Sequence, residues 1–376
     1  MIYLTKPYFD EKELEALKQV LASGWVAGQG PKGEELKGLL RDYLDIKHVI
    51  PVSNCTSGLH LAILALGIKP GDEVIVSDYT FPAAGHAVLF CGAKPRFTDV
   101  KINTYNMEPE LILGKINSKT KGIIVVHEFG LIAEMEPIMK IAREHGLKII
   151  EDAACALGAR YKEKQPGFWS DIAVFSFHGR KNVTCGEGGA VVTNNGKYAS
   201  EIESLSCFGM QSAYSRQEDF SIPSFDDLGY NYKLADLNAA VIIEQIRKYP
   251  EIIERKRKLV ELYNSSLQAN KYVTTPIESK DCFHVYQTYA VVLDGKIDRD
   301  LLIKALREDD IQTNIGTYAS HIQPVYEDVE DTCPNSLFLY YHSLALPLYY
   351  DLKEEEVIYV VDRLNHHIEK QVKNKS

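Results

Sequence analysis

The sequence predicts an α/β protein: a large domain built on a mostly parallel sheet flanked by helices, and a smaller C-terminal α+β domain. Three observations predict it. Short β-branched runs alternate with helical patterns from about Val49 to Asn194. Several of these runs are almost wholly apolar and close on a polar residue, as strands buried on both faces of a parallel sheet do. The chain has 376 residues, more than one hydrophobic core usually organises.

The elements follow in order. Glu11 to Ala22 is helical in pattern, and Leu59 to Leu66 is a short apolar helix. Val74–Ser77, Pro95–Val100, Gly122–His127 and Leu147–Asp152 read as strands. Between the last two lies Met135 to His145, a helix stopped by Gly146. Strand, helix, strand in that order implies right-handed crossovers, with ligands at the carboxyl ends of the strands. Asp152 stands at such an end. Asp171–Phe177 and Gly189–Thr193 are two further strands joined by a glycine-rich turn, followed by helices over Tyr198–Cys207 and Leu234–Lys248. Pro250 is expected to end the latter. The charged helix Ile252–Leu267 then bridges to a second domain containing a strand at Tyr286–Leu293 and helices at Asp300–Glu308 and Glu354–Lys370. The boundary falls near residue 250, giving domains 1–250 and 251–376.

Composition narrows the function. Apolar residues make up 45% and charged residues 25%, so the bulk of the chain can bury a core and is not disordered. The formal net charge of −10 argues against nucleic acid as the main partner. No signal peptide and no membrane-spanning run is seen. Seven widely spaced cysteines without a Cys-x-x-Cys pair suit reduced thiols in a cytoplasm, and no metal is expected. Gly28-Gln29-Gly30-Pro31-Lys32-Gly33 matches G-x-G-x-x-G on paper. A dinucleotide site needs a strand feeding those glycines, and here a helix precedes them. Pro31 also removes an amide from the loop. The segment reads as a surface loop or one that covers a substrate.

The residues able to carry chemistry sit at the predicted strand ends. Lys181 follows a buried strand and precedes Gly186-Glu187-Gly188-Gly189, where partial desolvation can lower its pKa toward a nucleophilic range. Alone it would read as a loop lysine. Asp152, flanked by Ala153 and Ala154, has little local reason to be there unless it meets a cation or caps a helix. A protonated pyridine nitrogen is such a cation, and a lysine that bonds the cofactor paired with an aspartate on the pyridinium is the pattern of pyridoxal phosphate (PLP) chemistry. Ser53-Asn54-Cys55-Thr56-Ser57-Gly58 opens a helix with small hydroxyl residues that suit a phosphate dianion, or that merely cap the helix. Phe81 in Tyr79-Thr80-Phe81-Pro82 could stack on a flat ring or sit in a core.

Nearly end to end, the chain resembles the sugar-nucleotide aminotransferases of the DegT/StrS type, within the fold type I (aspartate aminotransferase-like) PLP enzymes. The resemblance rests on Ser23-Gly24-Trp25, Gly30-Pro31, Gly71-Asp72-Glu73-Val74-Ile75-Val76 and Glu151-Asp152-Ala153-Ala154. It continues through Ser176-Phe177-His178, Lys181-Asn182, Gly186-Glu187-Gly188-Gly189, Gly229-Tyr230-Asn231-Tyr232-Lys233 and His321-Ile322-Gln323-Pro324. It implies a seven-stranded, mostly parallel sheet and a PLP cofactor that cycles to pyridoxamine phosphate. By the resemblance, Lys181 bonds the cofactor and Asp152 holds its pyridine nitrogen protonated. Phe81 covers a ring face, and Thr56, Ser57 and Ser176 bind the phosphate. Asn231 reaches that phosphate from a second copy, which implies a homodimer with shared sites. Trp25, Tyr318 and His321 are candidates for the substrate, a keto-sugar nucleotide (a 4-keto- or 3-keto-6-deoxyhexose), and glutamate is the expected amino donor.

Two departures mark the chain. Cys155 stands where many relatives carry Gln or His near the cofactor's 3-hydroxyl, leaving that hydrogen bond unassigned. Lys233 stands where Arg is usual, and the two are not equivalent. Related dehydratases of this fold carry histidine in place of the lysine; this chain has Lys181, which favours the aminotransferase. His178 reads as a core histidine or one supporting the site. A dehydratase or epimerase acting on similar sugars, a non-catalytic regulator and a nicotinamide oxidoreductase are the rival readings.

Overall fold

A computed structural model describes residues 1–210 and 224–375. Seven strands form the central sheet: β1 (His48–Val52), β2 (Glu73–Ser77), β3 (Lys94–Thr98), β4 (Thr120–Val126), β5 (Lys148–Asp152), β6 (Ile172–Ser176) and β7 (Gly189–Thr193). Their order is β1-β7-β6-β5-β4-β2-β3. From β6 to β3 every pair is parallel, while β7 runs antiparallel to both of its neighbours. β1 is the strand the sequence runs do not single out, because Pro51 interrupts its pattern. It lies at the edge of the sheet, where a proline is tolerated. The buried side chains on the two faces belong to separate clusters. Ile75, Ile123, Val125 and Phe175 fill one, and Val74, Val76, Ile124 and Val174 fill the other.

Three helices come early in the chain. The first, α1 (Glu11–Ser23), is held at its start by the Asp10–Glu13 capping box. Lys248 reaches Asp10 at 3.1 Å and Glu13 at 2.7 Å, tying α1 to the long helix Asp236–Leu267. The others are α2 (Pro31–Leu44) and α3 (Cys55–Ala65).

Pro250 does not end its helix. The helix runs unbroken from Asp236 to Leu267 with the proline inside it. A proline in a helix interior costs about 3 kcal/mol. Burial on both sides of it offsets that. Ile242, Ile246 and Tyr249 lie in the core beneath the large sheet, and Leu259, Val260, Tyr263 and Leu267 lie in a second core. The second core lies against an antiparallel sheet in the order Val273–Thr274, Tyr289–Leu293, Ser343–Leu346, Asn314–Ile315. Helices Arg299–Glu308 and Glu354–Lys375 pack on it through Leu302, Leu306, Val360 and Leu364. Ile2 bridges to Ile311 and joins this cluster.

Candidate active site

Parallel pairing sets the strand ends in a row, and β5 ends on Asp152, opposite Val126 of β4 and Val174 of β6. The Asp152 carboxylate is buried; its Oδ1 accepts from the Ala154 amide at 3.1 Å and lies 3.8 Å from the Cys55 sulfur. Its Oδ2 takes no hydrogen bond among the described residues. Burial raises the pKa of this carboxyl, against the pull of the Ala154 amide, Lys181 and His127.

Lys181 stands in the turn after β6, whose shape is set by Gly179 N–H to Gly186 O at 2.9 Å and Lys181 N–H to His178 O at 2.8 Å. Its amine lies 3.2 Å from the Cys155 sulfur. Burial alone would lower its pKa, as expected from the sequence. Cys155, Cys55 and Asp152 outweigh burial and hold it above the usual lysine value, so that expectation is corrected.

The phosphate-type residues gather on one flank. Helix α3 starts at Cys55, earlier than the predicted Leu59, because Asn54 caps it by accepting from the Ser57 amide at 2.8 Å. Thr56 and Ser57 therefore occupy its first turn and are not the cap. The Ser57 hydroxyl lies 3.3 Å from that of Ser53. Gly189 pairs with Ser176, and a Cβ on Gly189 would meet the Asn54 carbonyl carbon at 2.8 Å and the Cys55 amide at 2.9 Å. Its missing side chain lets the α3 N-terminus rest on the strand ends beside Ser176.

On the other flank, the short strand Tyr79–Thr80 pairs antiparallel with Tyr318–Ala319. This sets the Phe81 and Tyr318 rings 6.2 Å apart, edge to face. Phe81 is 63% exposed, so it is no core residue. His321 is fixed by Asp78, which accepts from its amide at 2.7 Å and meets its Nδ1 at 2.7 Å. Asn231 is exposed and accepts from Lys233 Nζ at 2.6 Å, while that ammonium lies over the Phe208 ring. Trp25 packs onto Gly30, where a Cβ would meet its ring. The structure thus brings Lys181, Asp152 and Cys155 together. Asn231 and Trp25 it places against other neighbours.

Several features differ from the sequence reading or escaped it. The glycine loop at residues 28–33 opens α2, and the Asp236 carboxylate occupies its amides, accepting from Gly30, Lys32 and Gly33 at 3.1, 3.0 and 3.1 Å. An anion already fills that helix start. His178 is half exposed and accepts from the Arg180 amide at 3.2 Å; it is not a core histidine. His127, by contrast, is fully buried; it lies 2.8 Å from Glu151 and accepts from the Ala133 amide at 3.2 Å. Lys256, on the long helix, is buried and donates to Asn182 Oδ1 at 2.5 Å and Gln287 O at 3.1 Å. Burial lowers its pKa to about 7. Glu128, after β4, is buried as well, and burial raises its carboxyl to about 8. A histidine–glutamate dipeptide after a strand gives no pattern that would mark it in the sequence.

The set can hold a flat cationic heteroaromatic ring that bears a phosphate. The Oδ2 of the buried Asp152, which takes no hydrogen bond among the described residues, an amine at the adjacent strand end, a helix N-terminus with two hydroxyls and an exposed aromatic face each match one part of such a group.

The DegT/DnrJ/EryC1/StrS aminotransferase family matches residues 7–365. The chain is 34% identical over 360 residues to the GDP-perosamine synthase of Escherichia coli O157:H7, covering 96% of each. It is 31% identical over 368 residues to SpsC, a spore coat polysaccharide biosynthesis protein of Bacillus subtilis (strain 168), covering 95% of this chain and 94% of that one. Among solved structures, NtdA of Bacillus subtilis with bound cofactor PMP is similar at a TM-score of 0.86 and 30% identity, over 96% of this chain and 82% of that one.

Proposed function

Because the chain belongs to the DegT/DnrJ/EryC1/StrS aminotransferase family, we propose that it moves an amino group from L-glutamate to the keto carbon of a 4-keto- or 3-keto-6-deoxyhexose nucleotide. The product would serve a surface polysaccharide or a glycosylated compound. The chain is a PLP-dependent sugar aminotransferase with the fold type I architecture, and its cofactor cycles to pyridoxamine phosphate. The observation that carries the reading is the convergence of the Lys181 amine and the Asp152 carboxylate at adjacent strand ends.

When bound, the cofactor supplies an aldehyde for amine exchange and a ring that draws electrons from the carbon losing its proton. Asp152 would hold the ring nitrogen's proton with its free Oδ2, in a pocket where burial strengthens that contact. Thr56, Ser57 and Ser176, with the α3 amides, would bind the phosphate. Phe81 would cover one ring face, with Tyr318 beside it. The Lys181 amine would carry the proton between carbon atoms as general base and acid. Cys155 holds that amine in place. Asn231 is exposed, as a residue that completes a second copy's phosphate site would be, so a homodimer with shared sites belongs to the proposal. Trp25, Tyr318 and His321 are proposed for the sugar nucleotide, with Asp78 orienting His321.

The division into domains 1–250 and 251–376 is retained as a proposal, with the cut inside the long helix. Cytoplasmic placement is supported by seven free cysteines. No helix among the described residues is long and apolar enough to cross a membrane. Incubation with glutamate and a panel of keto-sugar nucleotides tests the function. The expected products are 2-oxoglutarate and an amino-sugar nucleotide by mass spectrometry. A deoxygenated or epimerised sugar without 2-oxoglutarate would instead identify a dehydratase or epimerase.

A further inference from the structure

Glu128 follows β4, the strand next to β5 in the sheet. Successive strand ends therefore carry Ser176 on β6, Asp152 on β5, Glu128 after β4, and Thr80 and Phe81 after β2. A pyridoxal ring gives that row a chemical order. Its nitrogen and the carbon bearing its aldehyde are para to each other, so Asp152 and Lys181 define one axis. The phosphate arm and the 3-oxygen lie on opposite sides of that axis. Ser176, with Thr56 and Ser57 beside it, takes the phosphate on the β6 flank, which leaves the 3-oxygen to the β4 flank, where Glu128 stands.

The local backbone holds Glu128 there. Phe129 adopts φ +54° and Gly130 φ +96°, left-handed values that turn the chain sharply after the glutamate. A Cβ on Gly130 would meet the Cys155 carbonyl oxygen at 2.9 Å, so the Glu128 turn rests directly on the Cys155 turn. The Glu128 amide donates to Asn106 Oδ1 at 2.9 Å. The carboxyl reaches the Thr80 hydroxyl and interacts with Lys181, Asp152, Cys155 and Tyr79. Among the described residues it makes no ion pair, an expensive state for a buried carboxylate. Cys155, on the same side, offers only a weak thiol donor.

Resting on the proposed site, we propose that Glu128 holds the cofactor's 3-oxygen through a hydrogen bond donated by its protonated carboxyl. One proton is shared between the two oxygens, and the negative charge stays on the 3-oxygen. Burial keeps that proton on Glu128 at neutral pH.

The test is the pH titration of the cofactor's visible band in PLP-loaded wild type, Glu128→Leu and Glu128→Gln. A donor to the 3-oxygen stabilises the state in which that oxygen carries its full charge, so losing the donor raises the midpoint. Glu128→Leu is expected to raise it by about one pH unit or more, and Glu128→Gln, which keeps an N–H donor, by less than half of that. Should the leucine variant not fold, Glu128→Met carries the same expectation. A leucine or methionine midpoint within about 0.2 pH unit of wild type overturns the proposal. A wild type that takes up no PLP overturns the site reading instead.

Discussion

The amine of Lys181 stands 3.2 Å from the sulfur of Cys155, so the turn after β6 meets the turn after β5 at the point where the chemistry is proposed to happen. Burial raises the Cys155 thiol pKa, and at neutral pH the amine faces a neutral sulfur. Asp152, three residues before Cys155 at the end of β5, also interacts with that amine, and burial raises its own carboxyl pKa.

Asp152→Asn is expected to bind PLP yet lose turnover by about a hundredfold or more, because an amide cannot stabilise a pyridinium charge as a carboxylate does. Single-turnover rates with glutamate, followed by the loss of the visible band, measure this. Unchanged rates would remove Asp152 from its role.

Glu128 makes the stability of the cofactor-free chain depend on pH. Its folded pKa, about 8, lies above the ordinary 4.5, so between those values the folded state holds a proton that the unfolded state has released. Stability from this group is fully present below about pH 4.5 and declines toward pH 8, by up to about 1.4 kcal/mol per pH unit. Urea unfolding at several pH values should show wild type losing stability relative to Glu128→Gln as the pH rises. Parallel curves would contradict the assignment.

Asp236→Ala should destabilise the chain by about 1–2 kcal/mol, since it strips the three amides at Gly30, Lys32 and Gly33 of their acceptor. Urea midpoints measure the loss. The same variant should still attach PLP at Lys181, because the Gly28–Gly33 loop is a helix start and not a cofactor site.

Much of the fold was legible in the sequence because apolar strands ending in a lone polar residue advertise a parallel sheet and its ligand edge. Asp152 and Ser176 both follow that rule, and Lys181 lies one turn beyond it. What hid was set by tertiary contacts. Pro51 disguises an edge strand, and Pro250 survives in a helix because two cores grip it on either side. Asn54, not a serine, caps α3. Nothing in a linear reading marks Glu128 as buried or pairs His127 with Glu151; the parallel register of β4 and β5 sets His127 2.8 Å from Glu151, and both, like Glu128, are buried.

The central claim is that Lys181 is the residue that bonds the cofactor. Borohydride reduction of the PLP-loaded protein, followed by peptide mass mapping, tests it most directly. A single pyridoxyl adduct on the peptide containing Lys181 is expected; an adduct on another lysine, with Lys181 unmodified, would contradict it.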